Sequence, residues 1–387
     1  MHIRQMDPIE FRRTLHRHPE LSFREEHTAA FISEQLTALG IEHRPIARTG
    51  ILARIEGRRR NTHQSAVINS ANAAADRGPA MVLRADIDAL PIVEQNHVAF
   101  ASENRGVMHG CGHDVHAAVL FGVLRELKAA PDFCGTLFGL FQPGEECNPG
   151  GASLVLAEHP FDDYQIRAIL GEHVETGMAV GTVGFRAGKY MAANDELRFK
   201  VLGQGGHGAM RHLVKDPVVA GAELVTRLNQ LNDEECVLSI GRVIAEGATN
   251  VIPDVVAMEG TLRTFDEQRR EIIHSRIRNI AADINNRHGV DIGVDINHGY
   301  PCVVNDEVLV QRAVLLAKEC GLEVEMLPLR TTAEDFGFYT QHYPALFYRL
   351  GVGDAGRPHT STFLPDEAAI PVGIDFMKRF ALQILEK

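Results

Sequence analysis

The ten residues Val107-Met-His-Gly-Cys-Gly-His-Asp-Val-His116 hold three histidines, a cysteine and an aspartate. A thiolate at Cys111 and an imidazole at His113 can reach one divalent ion if their segment is a loop, because Gly110 and Gly112 free the backbone to take unusual dihedrals. Taken alone, a Cys-x-His is more often a buried free thiol beside surface histidines. The rest of the chain changes that balance.

Carboxylates and histidines recur at the ends of apolar runs. Residues 80–85 run into Asp86 and Asp88; residues 135–141 (Gly-Thr-Leu-Phe-Gly-Leu-Phe) run into Gln142-Pro-Gly-Glu145-Glu146; residues 166–170 run into Gly171-Glu172-His173; and residues 345–350 are followed, after a loop, by His359. Nearly continuous apolar runs predict parallel strands buried on both faces. Helical periodicity lies between them: Asp114 is placed to cap a helix through Val119, Leu120, Leu124 and Leu127, and residues 153–158 form another. Earlier helices are expected over 8–20 and 25–39, the second stopped by Gly40, with a short strand over 50–56 and a helix over 307–321 later. Alternating strands and helices imply an α/β sheet, whose ligands sit beyond the carboxyl ends of the strands. Each of these side chains alone reads as a solvated loop residue; four sets at equivalent positions read as a site. Residues 58–79 show no periodicity and are expected to be an exposed insertion with no functional reading.

Residues 190–300 follow another pattern. Leu197, Phe199 and Val201 alternate with charged residues, Asp216-Pro217 starts a helix through Leu228, strands are expected over 237–244 and 255–265, a helix over 267–287, and a last alternating strand from Val290 to Ile296. The order β-α-β-β-α-β is the ferredoxin-like arrangement. The expected organisation is a catalytic domain over 1–188 and 301–387, interrupted by an inserted α+β domain over 189–300.

Composition excludes several classes. With 387 residues, 45% hydrophobic and 23% charged, the chain is an ordinary globular protein of two or three domains. A net charge of −12 and scattered basic residues argue against nucleic acid or an anionic membrane as the partner. No signal peptide or stretch of ~18 apolar residues is found, so a cytoplasmic location is expected. Six irregularly spaced cysteines fit reduced thiols.

Together the motifs carry a resemblance. Met108-His-Gly-Cys-Gly-His-Asp114, Gln142-Pro-Gly-Glu-Glu146, Gly205-Gly-His207, Asn250-Val-Ile-Pro-Asp254, Gly260-Thr-Leu-Arg-Thr-Phe265, Ala333-Glu-Asp-Phe336, His359 and the opening Leu15-His-Arg-His-Pro-Glu-Leu-Ser22 resemble the N-acyl-amino-acid amidohydrolases. These form the hippurate-hydrolase and auxin-conjugate-hydrolase branch of the dinuclear metallopeptidase and aminoacylase superfamily. The resemblance implies a largely parallel mixed sheet flanked by helices, with a ferredoxin-like lid and dimerisation domain. It further implies two divalent ions (zinc, manganese or nickel) on Cys111, His113, Glu146, His173 and His359, with Glu145 as general base. Asp86 and Asp88 stand where the superfamily keeps an orienting carboxylate, and the sequence does not rank them. His207 is expected over the metal site, often that of a partner subunit, with Asn250 and Arg263 on the substrate's carboxylate.

The activity so implied is hydrolysis of the amide bond of N-acetyl or N-benzoyl amino acids by a homodimer. A dipeptidase or aminopeptidase with the same metals is the alternative, as is a metal-binding relative without activity, although a pure binder has no use for Glu145. A thiol enzyme with Cys111 as nucleophile leaves Glu145, Glu146, His173 and His359 without a role. The chain departs from the family pattern at Arg211, Glu172 and Thr360-Ser361, which flank the site and bear on substrate preference.

Overall fold

The computed structural model of the chain describes residues 6–59 and 78–386, so that residues 60–77 of the expected insertion lie outside the described residues. The chain divides into two compact units: Met1–Gly188 with Val304–Pro328 and Phe338–Lys387, and Lys189–Val303 with Leu329–Gly337. Leu329–Gly337, which the expected 301–387 boundary leaves with the first domain, groups with the second unit. There Met191 bridges Arg330, and the Ala192 N–H donates to the Arg330 and Thr332 carbonyls.

The first unit is a mixed eight-stranded sheet. Its four central strands, Thr136–Gln142, Pro79–Asp86, Gln165–Glu175 and Ala345–Gly351, run parallel in that order. Three of them are buried at every position, which is why they read as nearly continuous apolar runs, interrupted by the buried Arg84 and Arg349. Register aligns their carboxyl ends: Asp86 pairs with Gln142, Arg84 with Gly171 and His173 with Arg349. One sheet edge therefore presents Asp86, Gln142 and His173 in a row.

Antiparallel strands extend this core, with Glu42–Ile46 and Gly50–Glu56 on one side and Thr182–Phe185 on the other, the last pairing in parallel with Glu323–Met326. Glu42–Ile46, Thr182–Phe185 and Glu323–Met326 escape a reading by pattern. All are short, and two of them face solvent and lack the apolar run.

The helix His113–Ala129 is buried along most of its length and packs against Ala369–Leu385 and Pro8–Arg17. Gly122 allows the close approach, since a Cβ there would stand 2.2 Å from Ile374 Cδ1. The Phe11 and Phe121 rings stack at 4.2 Å. Pro8–Arg17 begins at an Asp7 cap and ends before His18, short of the expected 8–20, because Pro19 disfavours helical backbone in the residue before it.

The expected cap at Asp114 is corrected by the structure. The helix starts two residues earlier than that cap implies, at His113, from Gly112 in the left-handed region, and no side chain caps it. Asp114 instead lies in the first turn, where its Oδ2 is 2.6 Å from Arg12 Nε and accepts from His16 Nδ1 at 2.8 Å. A buried carboxylate at a helix N-terminus also meets the positive end of the helix dipole.

The second unit has a four-stranded antiparallel sheet in the order Cys236–Ile244, Val255–Thr264, Ala193–Leu202, Asp291–His298. Helices Pro217–Asn229 and Glu267–His288 cover one face, with Leu197, Phe199, Val201, Leu224, Leu228, Met258, Ile273 and Ile277 as the core. This is the ferredoxin-like arrangement. No helix among the described residues is long and apolar enough to cross a membrane.

Candidate metal centre

The geometry of the first unit is built around His113. Gly112 takes φ +93°, and a Cβ there would fall 2.6 Å from Val174 Cγ2, so the turn that delivers Cys111 and His113 requires glycine. His113 Nδ1 lies 2.9 Å from the Asp88 carbonyl and 3.2 Å from Asp88 Oδ1. With its proton there, the ring turns Nε2 the other way. His173 is fixed in the same manner, Nδ1 lying 2.7 Å from the Val174 carbonyl.

The outward-turned atoms converge. Cys111 Sγ lies 3.3 Å from His173 Nε2, His359 Nε2 lies 3.3 Å from Glu146 Oε1, and that oxygen lies 3.9 Å from His113 Nε2. The sets Cys111–His113–His173, Cys111–Glu146–His359 and His113–Glu145–Glu146 each place one ligand atom per residue within 4.8 Å of the others. His113 Nε2 and Glu146 Oε1 are buried without a hydrogen-bond partner, a state that costs about 1–3 kcal/mol per group unless something else satisfies it. Sulfur, imidazole and carboxylate ligand atoms converging at these distances fit a divalent transition metal, which would displace their protons on binding. Without an ion, burial and then Glu146 push the Cys111 thiol up to about 12. Burial would lower His113, but Asp86 and Cys111 outweigh it and raise it well above the ordinary imidazole value.

Asp86 and Asp88, unranked by sequence, now separate. Asp88 Oδ2 accepts from Ser22 Oγ at 2.6 Å and from the Glu146 N–H at 2.9 Å, so one carboxylate ties together the His113 ring, the Glu146 backbone and the segment before the helix Glu26–Ala38. Asp86 Oδ1 holds His116 Nδ1 at 2.6 Å and Oδ2 holds Arg84 at 2.7 Å, while Oδ2 also lies 3.7 Å from His113 Nε2. Burial opposes its ionisation, but His113, Arg84 and His116 hold it well below the usual carboxylate range. His116 was not singled out from the sequence. Its signal was the i, i+3 spacing from His113 on one helix, and its Nε2 accepts the Val174 N–H at 2.9 Å.

Glu145 is held by its loop. Gly144 takes φ +62° with its α-carbon against Phe23, where a Cβ would stand 2.4 Å from the ring, and its N–H donates to Glu25 Oε1 at 2.9 Å. Glu145 is buried, with a carboxylate oxygen among the His113 and Glu146 ligand atoms. Glu172, beside His173 in the sequence, points to the other face of its strand. It accepts from Tyr348 Oη at 2.7 Å, its cross-strand neighbour, and burial pushes its carboxyl up to about 8.

The structure thus brings Asp86, Asp88, Cys111, His113, Glu145, Glu146, His173 and His359 together in the first unit. His207, Asn250 and Arg263 belong to the second. There Gly206–His207 pairs with Val251–Ile252, and the Gly208 N–H donates to the Asn250 carbonyl at 2.8 Å. Arg263 lies opposite Asn194, on the sheet face away from the helices.

Comparison with known proteins gives the family. Residues 82–383 match peptidase family M20/M25/M40. The chain belongs to this family. Within it, the chain is 35% identical over 98% of its length to N-acetyl-L-cysteine deacetylase of Bacillus subtilis (strain 168), covering 88% of that protein. It is also 35% identical, over 96% of its length and 98% of the relative, to N-acetyldiaminopimelate deacetylase of Exiguobacterium sibiricum. Among solved structures, a dinuclear metal-binding M20 peptidase of Bacillus subtilis superposes with a TM-score of 0.83 at 32% identity, covering 98% of each chain. As an M20 family member the chain is a hydrolase of amide bonds.

Proposed function

We propose that this M20 enzyme cleaves the amide bond of N-acyl amino acids, of the N-acetyl or N-benzoyl type, to a carboxylate and a free amino acid. The carrying observation is the convergence of ligand atoms from Cys111, His113, Glu146, His173 and His359, in which His113 Nε2 and Glu146 Oε1 are buried without a hydrogen bond. In this reading Cys111, His113, Glu146, His173 and His359 hold two divalent ions, zinc, manganese or nickel, as the dinuclear relative in the same fold suggests. Such ions, when bound, acidify a water and polarise the acyl carbonyl. Glu145 takes the proton from that water and passes it to the leaving nitrogen. Asp88 keeps the His113 ring turned so that Nε2 faces the site.

The second unit supplies the remaining groups in this proposal. His207 Nδ1 accepts the Ala209 N–H at 3.2 Å, which puts the ring proton on Nε2 and makes that atom a donor for the developing oxyanion. Burial holds the half-buried Arg263 guanidinium below its ordinary value, and no carboxylate among the described residues pairs with it. It suits the substrate's carboxylate, with Asn250 beside His207 as a further contact. The active form is a homodimer joined through the second unit, in which His207 of the partner subunit completes each centre. A thiolate ligand is best kept in a reducing compartment such as the cytoplasm, and all six cysteines are free.

The test is a panel of N-acetyl amino acids, hippurate, N-acetyl-diaminopimelate and dipeptides, run with each of the three metals. The proposal expects an N-acyl amino acid to be turned over fastest. A dipeptide turned over faster than every N-acyl amino acid would replace it with a dipeptidase.

A further inference from the structure

The second unit contains another convergence of ligand atoms, unrelated to the residues above. Glu271 and His274 lie three apart on Glu267–His288 and therefore on one helix face. His298 ends the strand Asp291–His298, where register sets it opposite Asp195 on Ala193–Leu202. The His274 and His298 rings meet edge to face at 4.7 Å, and one ligand atom each from Glu271, His274 and His298 lies within 4.8 Å of the others.

His274 decides what this cluster can do. It is fully buried, and its Nε2 lies 2.6 Å from Asp195 Oδ2. Asp195 in turn takes a two-pronged contact from Arg270 and the Gly299 N–H at 3.2 Å. The carboxylate therefore keeps the ring proton on Nε2 and leaves a lone pair on Nδ1. That atom is buried and makes no hydrogen bond; Glu271 Oε1, 3.6 Å away, is out of range and is itself an acceptor. A carboxylate behind one imidazole nitrogen with the other turned toward further ligands is how proteins orient a metal-binding histidine.

We propose that Glu271, His274 and His298 form a second, independent site for one divalent transition-metal ion, backed by Asp195 and Arg270. Two imidazoles and a carboxylate favour zinc, nickel, cobalt or copper over calcium and magnesium. A tetrahedral ion with bonds of about 2.0–2.1 Å needs ligand atoms roughly 3.3 Å apart. Glu271 and His298 are exposed and can turn inward by the small distance required, while His274 stays fixed. The fourth position is open to water. The ion would pin the early turns of the helix to the end of the last strand, just before the chain leaves for Val304 in the first unit. The competing state is a protonated His274 bridging the Asp195 and Glu271 carboxylates without any ion.

The experiment uses the full-length holoenzyme and the exposed-residue variants Glu271→Ala and His298→Ala, which leave the buried His274–Asp195 pair in place. Each is equilibrated with zinc or cobalt and then freed of excess, the metal per chain is counted by mass spectrometry, and the cobalt spectrum is recorded. The wild type is expected to retain one more ion per chain than either variant and to show cobalt absorption bands that both variants lack, with amidohydrolase activity and far-ultraviolet circular dichroism unchanged. Equal metal content and identical cobalt spectra in all three chains would overturn the proposal in favour of the protonated bridge. Because all three chains share the first-unit residues, the difference among them is unaffected by whether those residues hold metal.

Discussion

Asp86 and Asp88 are both buried carboxylates two positions apart, yet their partners give them different work. Asp88 orients His113 and the Glu146 backbone, whereas Asp86 sits between Arg84 and His116. Asp88→Asn is expected to keep the fold and lower metal affinity by about 10–100-fold, the usual worth of a carboxylate behind a ligating histidine, as read by competition with a chromogenic chelator. Unchanged affinity would show that the Asp88 carbonyl, 2.9 Å from His113 Nδ1, suffices to orient the ring. Glu145→Gln separates base from ligand. It is expected to retain its metals and lose a factor of roughly 10²–10⁴ in kcat; a variant that loses metal instead makes Glu145 a ligand.

Two short loops carry the site at the scale of elements, and each turns on a residue outside the ligand set. Gly112→Ala forces an L side chain into φ +93° against Val174, so a loss of about 1–3 kcal/mol is expected in urea unfolding, together with weaker metal binding. In the other loop, Glu25 accepts from the Gly144 N–H and from Thr49 Oγ1. Burial pushes its carboxyl up to about 6, above its ordinary 4.5, despite the Thr49 bond. The folded chain therefore holds this proton more tightly than the unfolded chain. The stability this contributes is fully present below about 4.5 and is lost as pH rises through about 6, by at most about 2 kcal/mol. Glu25→Gln is expected to flatten that decline in melts across this pH range. A slope equal to wild type would place the titration elsewhere.

For the whole molecule, the proposed reading makes metal and a second chain both necessary. Chelation is expected to abolish activity and readdition of a divalent transition metal to restore it; full activity in a preparation shown to be metal-free would end the metallohydrolase reading. If His207 serves the partner's centre, mixing inactive His207→Ala chains with inactive Glu145→Gln chains should restore some turnover, because one centre in each hybrid dimer is whole. Verified hybrids without activity would reject the arrangement in trans. Undiminished activity of His207→Ala alone would remove the residue from the reaction, since loss of an oxyanion donor usually costs about 10²–10³ in turnover.

The sequence by itself determined the central sheet and its topological edge. Strands buried on both faces must be written as runs such as Thr136–Gln142, and a ligand placed after each run falls at the same end of a parallel sheet. It also determined the ferredoxin-like unit, because alternation and helical period differ visibly between Ala193–Leu202 and Glu267–His288. Short edge strands such as Glu323–Met326 stayed hidden, since half-exposed segments of four residues carry no period to read. The true start of the His113–Ala129 helix was hidden as well: Asp114 has the right residue type for a cap, but Arg12 and His16, close to it only in the fold, claim its carboxylate. Only the tertiary structure could rank Asp86 against Asp88, find His116, or join Asp195, Glu271, His274 and His298. Hydrogen bonds and lone-pair directions are set by neighbours distant in the chain, and residue spacing holds no record of them.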